Sequence, residues 1–183
     1  MSPLTYAEFG ERFFFYAVTA ERIEASLSAL AGDPIAFGPI AAGPGGIAQV
    51  KARGTTGAGT ATRLEGDEVR FRLRIPVSLD LRIQLGPDHH DFEVGLVVGL
   101  ELHARAEEPL RVVIDITPPS GRDVEVKLST QALRSSMLQR VAGIDREIAR
   151  FVARYVATEI DKEHIKAARD IDVAARIEEG WNR

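Results

Sequence analysis

The residues best suited to metal or acid–base chemistry lie in one short segment, Asp88-His-His-Asp91, in which two carboxylates flank two imidazoles. Both groups are common ligands of divalent metal ions. Adjacent residues of an extended segment point in opposite directions, however, and no further ligand lies nearby in the sequence. Gly86 and Pro87 before it are typical of a turn. We therefore interpret the segment as the polar tip of a hairpin and predict no metal site.

Two glycine-rich segments, Gly43-Pro-Gly-Gly46 and Gly54-Thr-Thr-Gly-Ala-Gly59, have the composition of phosphate-binding loops. Phosphate binding needs such a loop between a strand and the start of a helix, and its best-known form ends in Lys followed by Ser or Thr. Neither segment has that ending, and neither precedes a predicted helix. We interpret both as turns or bulges of a curved sheet and predict no cofactor.

Motifs for a catalytic nucleophile are missing from the sequence. The chain has no Cys, no Gly-x-Ser-x-Gly and no His-Glu-x-x-His. Ser135 and Ser136 lie near a predicted helix start, where the sequence places no base beside them. Carboxylates that are distant in sequence can meet in space, so acid–base catalysis stays open. We name no catalytic residue, and the chemistry favours a binding protein over an enzyme.

The aromatic residues are more informative than the polar ones. Five of the twelve lie in one stretch, at Phe9, Phe13, Phe14, Phe15 and Tyr16. At 100° per residue, the last four surround almost the whole circumference of a helix, whereas a surface helix buries one stripe. This turn is therefore either enclosed in the core or in a dimer interface, or it forms one wall of an apolar ligand site.

The composition is that of an ordinary globular protein. The chain has 183 residues, 45% apolar and 27% charged, and we expect a single domain over residues 1–183. A net charge of -4 argues against a nucleic-acid-binding protein. Without a long uncharged apolar window we expect no transmembrane segment. The first residues lack the basic and apolar regions of a secretory signal, which favours a cytoplasmic location.

The first long segment has the pattern of a helix. Thr5 and Glu8 match a capping box. From Phe9 to Leu30, apolar or small residues recur at spacings that alternate between four and three, which places them along one helix face. Gly32-Asp33-Pro34 ends this pattern. We predict one long helix over about residues 5–31.

The middle of the chain changes to a period of two, which is typical of strands with one buried face. Every odd position from Val69 to Leu85 is apolar, and the alternation resumes after Gly86. Pro76 lacks an N–H, so we expect a bend, bulge or edge position there. We predict a strongly curved antiparallel meander of about five to seven strands over about residues 35–128. The strands are Ile35–Ala42, Ile47–Gly54, Val69–Leu85, Phe92–Arg105, Leu110–Ile116 and Val124–Leu128.

A second helical stripe follows the predicted sheet and runs from Met137 to Tyr155. We predict a helical region over about residues 130–161, kinked or split near Gly143, that packs on the apolar face of the sheet. The tail, residues 162–183, has room for one short helix between Asp170 and Trp181. The predicted fold class is therefore α+β.

This order of elements resembles the tubular lipid-binding (TULIP) superfamily over about Thr5–Ile160. That superfamily includes bactericidal permeability-increasing-type and synaptotagmin-like mitochondrial-lipid-binding domains. The resemblance implies a long helix wrapped by a curved sheet, with a groove for acyl chains. It rests on the element order and on no diagnostic motif, so no functional residue is carried over.

The second half of the chain is also similar to the helix-grip (START or Bet v 1-like) fold, whose bacterial members include polyketide cyclases and aromatases. That fold normally opens with a strand and two short helices, whereas one long helix is predicted here. Both resemblances imply an apolar cavity between a curved sheet and a long helix. The class of ligand is therefore better defined than the name of the fold.

Three functions stay open at this point. The first is non-enzymatic binding or carrying of a lipid or other apolar small molecule, the second a cyclase- or isomerase-type enzyme, and the third a homo-oligomeric assembly module. A homodimer is compatible with each of them. The predicted ligand-binding residues are apolar side chains of the helices and of the buried sheet face: Phe13, Phe14, Phe15, Leu73, Ile75, Leu79, Leu96, Val98, Leu100, Ile114, Met137 and Phe151.

Overall fold

The computed structural model describes residues 2–29, 31–42, 44–128 and 143–181. Its architecture is α+β, as predicted: N-terminal helices, a curled antiparallel sheet shaped like a half-barrel, and C-terminal helices. The helices are α1 (Tyr6–Ala17), α2 (Ala20–Ala29), α3 (Ile144–Ile160), α4 (Glu163–Ala168) and α5 (Val173–Trp181). The strands are β1 (Pro34–Ala42), β2 (Ala48–Thr56), β3 (Thr60–Arg63), β4 (Val69–Leu85), β5 (Asp88–Glu107), β6 (Arg111–Thr117), β7 (Val124–Leu128) and β8 (Asp170–Asp172).

The N-terminal helical segment begins at the predicted capping box and is then interrupted. The backbone N–H of Thr5 donates to Glu8 Oε2 at 2.7 Å, and the N–H of Glu8 donates to Thr5 Oγ1 at 3.2 Å. The prediction of one continuous helix is wrong, because Val18 has extended backbone angles and is buried. Thr19 then accepts a hydrogen bond from the N–H of Arg22 and starts α2. The apolar period predicts that the helix continues here. It ends because Val18 is β-branched and Thr19 can cap a new helix.

The two long strands β4 and β5 form the centre of the sheet. They have 17 and 20 residues and pair along their whole length, from Val69 opposite Ala104 to Leu85 opposite Asp88. The odd positions of β4 are almost all buried and its even positions are exposed. The period of two read from the sequence therefore corresponds to one buried and one solvated face.

Pro76 lies opposite a bulge, in agreement with the prediction. Strands β2 and β3 pair one after the other with the same edge of β4. Between Thr56 and Thr60, three residues lie opposite only two residues of β4, which forms the bulge. The N–H of Gly57 donates to the carbonyl of Pro76 at 2.8 Å, so the backbone position without a donor faces this bulge. The bulge bends the sheet because it removes one pairing and increases the local twist.

The edge of β5 that faces away from β4 also pairs with two strands in succession. Strands β6 and β7 both pair with β5, and the loop Pro118–Asp123 separates them. The expected simple meander is therefore wrong at β7, which neighbours β5 and not β6. Two consecutive prolines after Thr117 supply no backbone donor, so β6 cannot continue and turn back on itself.

The C-terminal segment returns to the sheet. After α4, the N–H of Ile114 donates to the carbonyl of Arg169 at 2.9 Å, and β8 adds a short strand to the edge of β6. A salt bridge of 2.6 Å between Arg111 and Asp170 reinforces this pairing. The predicted short helix in the tail is α5. The part of the predicted helical region from 130 to 142, which includes Met137, lies outside the described residues.

The buried side chains form one contiguous apolar cluster. It combines the inward residues of β2, β4 and β5 with Ile148, Ala149, Val152 and Ala153 of α3. The ring of Phe37 in β1 lies 4.4 Å from the ring of Phe151 in α3, measured between centroids. Helix α1 is mostly exposed by comparison: Tyr6, Phe9 and Tyr16 keep 98%, 61% and 76% of their surface.

Candidate functional site

A cavity of about 540 Å³ lies on the concave side of the sheet. Its floor consists of inward residues of β4, β5 and β6, which the antiparallel register places side by side. Ile75 lies opposite Val98, and Leu73 lies opposite Leu100. The residues of this floor are Leu73, Ile75, Val77, Leu79, Leu96, Val98, Leu100, Leu102, Ile114 and Ile116.

Helical residues and β1 form the other walls of the cavity. Helix α3 contributes Val152, Tyr155, Val156, Glu159 and Ile160, whose spacing of three and four places them on one helix face. The remaining wall residues come from α2, from the start of β1, from Thr56 and from the segment around α4. They are Ile23, Ser26, Leu27, Asp33, Pro34, Ile35, Phe37, Thr56, His164, Ile165, Ala168 and Arg169.

Seven of the twelve residues predicted to bind a ligand line this cavity. They are Leu73, Ile75, Leu79, Leu96, Val98, Leu100 and Ile114. All seven belong to the sheet, where the alternation of apolar and polar residues identifies the buried face directly.

The predicted aromatic residues lie elsewhere. Phe13 and Phe14 line a separate cavity of about 390 Å³ beside Leu110 and Val173. The guanidinium of Arg63 lies 4.0 Å from the ring centroid of Phe15. Phe151 contacts the cavity residue Phe37 without being among the wall residues itself. Met137 lies outside the described residues.

Most polar groups of the cavity come from the helical side, and the sequence analysis did not assign them to a site. Glu159 Oε2 accepts a salt bridge of 2.8 Å from Lys162 Nζ. Burial raises the pKa of Tyr155, and the nearby Glu159 carboxylate raises it further. Tyr155 therefore stays protonated at neutral pH and can donate a hydrogen bond. Tyr155 and Glu159 continue the helical stripe that begins at Ile148, which is the signal by which they could have been found.

Arg169 is the wall residue that no sequence pattern identifies. It directly follows α4, and its carbonyl is fixed to β6 by the hydrogen bond from Ile114. Its Nη2 donates to the carbonyl of Ile160 at 2.9 Å, at the end of α3. Its position depends on the path of the tail across the sheet, which is a property of tertiary structure.

The other candidate segments have structural roles. Asp91 forms a salt bridge of 2.7 Å with Arg82 across the hairpin, and hydrogen bonding to this arginine lowers the pKa of Asp91. Within the described ranges, no group of three or more His, Asp or Glu residues is arranged to hold a metal ion. Pro44–Gly46 forms a turn between β1 and β2, and Gly57 belongs to the bulge beside Pro76. Ser135 and Ser136 lie outside the described residues.

Arginines of the solvated sheet face pair with acids of other strands. Arg72 bridges to Glu101 at 3.1 Å, and Arg74 bridges to Glu125 at 2.9 Å through two parallel hydrogen bonds. The first pair joins opposite residues of the neighbouring strands β4 and β5. The second reaches across β5, where Gly99 lies opposite Arg74, to β7. The convex face is therefore charge-balanced where these arginines lie.

No protein-family model matches the chain, and no curated protein matches it. These comparisons support neither the TULIP nor the helix-grip resemblance. Across the part of the chain that the structure describes, no helix has both the length and the apolar character needed to cross a bilayer.

Proposed function

We propose that this protein binds and carries a lipid or another apolar small molecule in the cavity between the curled sheet and α3. The observation that supports the proposal is the cavity itself, with its volume of about 540 Å³ and a floor of ten aliphatic side chains. Small-molecule sites typically measure about 300–1,000 Å³ and are lined mainly by apolar groups.

Packing density supports this reading of the cavity. Protein interiors are close-packed, and voids larger than a water molecule are few. A cavity of this volume forgoes many apolar contacts, and a bound apolar molecule would provide them. Burial of its surface would contribute about 25 cal/mol per Å² to binding. The driving force is non-directional, so selectivity must come from the shape of the cavity and from its few polar groups.

Carrying is favoured over catalysis because of where the ionisable groups lie. The floor of the cavity contains no ionisable side chain. The ionisable residues of the cavity all lie in its other walls, where Glu159 already pairs with Lys162. They are Asp33, Tyr155, Glu159, His164 and Arg169. A cyclase or isomerase would need a proton donor or acceptor aimed at its substrate.

Native mass spectrometry of the purified protein, followed by organic extraction, tests the proposal. We expect a bound species that is released only on denaturation, or uptake of a fluorescent fatty acid by the protein after extraction. A protein that has neither a bound species nor measurable uptake of the fatty acid would contradict the proposal.

Assembly through α1 is the second candidate function. The observation that favours it is the exposure of Tyr6, Phe9 and Tyr16, since single chains seldom expose several large aromatic side chains on one short helix. A mass that rises with concentration and returns to that of one chain in Tyr6→Ser/Phe9→Ser would support assembly. A concentration-independent mass of one chain would exclude it.

A further inference from the structure

Arg169 is the one Lys or Arg among the described residues that line the cavity. The side chain is half-buried, and Nη2 is engaged with the carbonyl of Ile160. Its Nε is buried and has no hydrogen-bond partner among the described residues. A guanidinium carries five N–H donors, and a buried donor without a partner is costly. The guanidinium of Arg169 can therefore donate a further hydrogen bond to an acceptor.

The neighbouring carboxylates do not supply that acceptor. Lys162 pairs with Glu159 at 2.8 Å, Lys166 with Asp161 at 3.4 Å, and Arg111 with Asp170 at 2.6 Å. Within the described part of the chain, Arg169 has no ion pair. Glu159, Asp161 and Asp170 are thus each matched with another base, and none of them balances the positive charge of Arg169.

The backbone around Arg169 is held in place at the cavity edge. Its carbonyl accepts from Ile114, and its own N–H donates back to the carbonyl of Lys166 at 3.1 Å. Both Ile114 and Ile160, the two residues that it contacts across elements, belong to the cavity wall. The backbone that carries this cation is thus positioned between β6 and the end of α3 before a ligand binds.

We infer that the ligand is an amphipathic acid, whose carboxylate binds Arg169 while its apolar part occupies the cavity. The inference rests on the proposed function. A guanidinium forms short, charge-assisted and often bidentate hydrogen bonds with carboxylates. One arginine balances one carboxylate, whereas a phosphate monoester would bring nearly two charges close to Glu159. Because Nε is shielded, the guanidinium has to turn about its terminal bonds to meet the ligand.

The test compares two probes of equal chain length, dodecanoic acid and 1-dodecanol, at pH 8, where the acid is ionised. Isothermal titration measures both affinities in the wild type, in Arg169→Gln and in Arg154→Gln. The last variant removes an equal charge from the exposed face of α3. We expect the wild type and Arg154→Gln to bind the acid about 10- to 100-fold more tightly than the alcohol. Arg169→Gln is expected to lose this preference while its affinity for the alcohol stays unchanged.

The outcomes separate this inference from the proposed function. Equal affinities of the wild type for acid and alcohol would overturn the inference and leave the proposed function standing. An equal loss of both affinities in Arg169→Gln would assign the residue a purely structural role and would also overturn it. Binding of neither probe would overturn both proposals. If Arg169→Gln does not fold, the affinities of the wild type for dodecanoic acid and 1-dodecanol decide. Arg169→Lys is expected to keep part of the preference for the acid.

Discussion

The rings of Phe37 and Phe151 contact each other at 4.4 Å between centroids, and this pair joins β1 to α3. Phe37 faces the cavity, and Phe151 supports it from the helix. The planes are tilted by 33°, within the range of geometries that aromatic pairs adopt. The edge strand of the sheet and the main C-terminal helix are therefore coupled next to the candidate site.

Replacing each ring by Leu is expected to show this coupling. In a double-mutant cycle, Phe37→Leu and Phe151→Leu should interact by about 0.5–1.5 kcal/mol, because either substitution alone already removes the ring contact. Urea unfolding of the wild type, the two single variants and the double variant measures this interaction energy. Phe71→Leu provides the control, since no ring contact joins Phe71 to Phe37 among the described residues. Effects of Phe37→Leu and Phe151→Leu that simply add would contradict the pairing.

Gly54 is expected to tolerate no side chain. A Cβ at this position of β2 would overlap the carbonyl oxygen of Ser78 and lie 2.9 Å from Leu79 Cα, both backbone atoms of β4. We predict that Gly54→Ala lowers the free energy of unfolding by about 3 kcal/mol, since the strands must separate to relieve the overlap. Gly95→Ala is the matched control in β5, where a Cβ meets no atom within 4 Å. Similar stabilities of the two variants would show that β2 and β4 do not approach this closely.

The sheet could be predicted from the sequence because its signals are local. Alternation of apolar and polar residues identified β4 and β5 and seven residues of the cavity floor. Pro76 indicated the irregularity at the bulge, because a missing donor affects the pairing wherever the strand lies. The pairing of β7 with β5 could not be predicted, because it depends on how the loop Pro118–Asp123 crosses the edge of the sheet.

The helical side of the site was predicted less well, for two physical reasons. The aromatic residues around Phe13 were interpreted either as enclosed or as one wall of the ligand site. Helix α1 is mostly exposed, and Phe13 and Phe14 line a separate cavity. Arg169 follows a six-residue helix with no apolar period. Its place in the cavity wall results from the pairing of β8 with β6, which joins residues about 60 positions apart.

Glu125 is expected to stabilise the fold at neutral pH and not in acid. The bidentate hydrogen bonds from Arg74 lower the pKa of Glu125 below its ordinary value. Because the pKa is lower in the folded state, the ionised Glu125 stabilises the fold at pH values above its pKa in the unfolded chain. This stabilisation is lost as the pH falls through the pKa of the folded state. Glu125→Gln should therefore be slightly less stable than the wild type at pH 7, and this difference should shrink as the pH falls to 3.

Urea unfolding at the two pH values, at low ionic strength, measures this difference. The effect is small because both side chains are about half exposed and screened by water and salt. Glu93→Gln serves as the control. It removes an acid of β5 from the same solvated face of the sheet, and Glu93 forms no ion pair with a described residue. A loss of stability in Glu125→Gln that is as large at pH 3 as at pH 7 would point to lost packing and contradict the electrostatic explanation.

Filling the cavity is expected to abolish binding while the fold is kept. Val156 lies half-buried in the cavity wall on α3, and Thr158 is exposed two residues further along the same helix. At 100° per residue the two side chains point almost in opposite directions. We predict that Val156→Phe lowers the affinity for a fluorescent fatty acid at least about tenfold, because the ring occupies the volume that the chain needs. Thr158→Phe adds the same ring outside the cavity and should bind like the wild type.

The stability of Val156→Phe separates an open cavity from one that closes on itself. A ring that enters an available cavity gains apolar contacts, so unfolding should require as much urea as in the wild type, or more. A loss of about 1–3 kcal/mol is typical of overpacking and would indicate that the volume is not available to a ring. Unchanged binding in a stable Val156→Phe would place the fatty acid elsewhere on the protein, and the proposed site would be wrong.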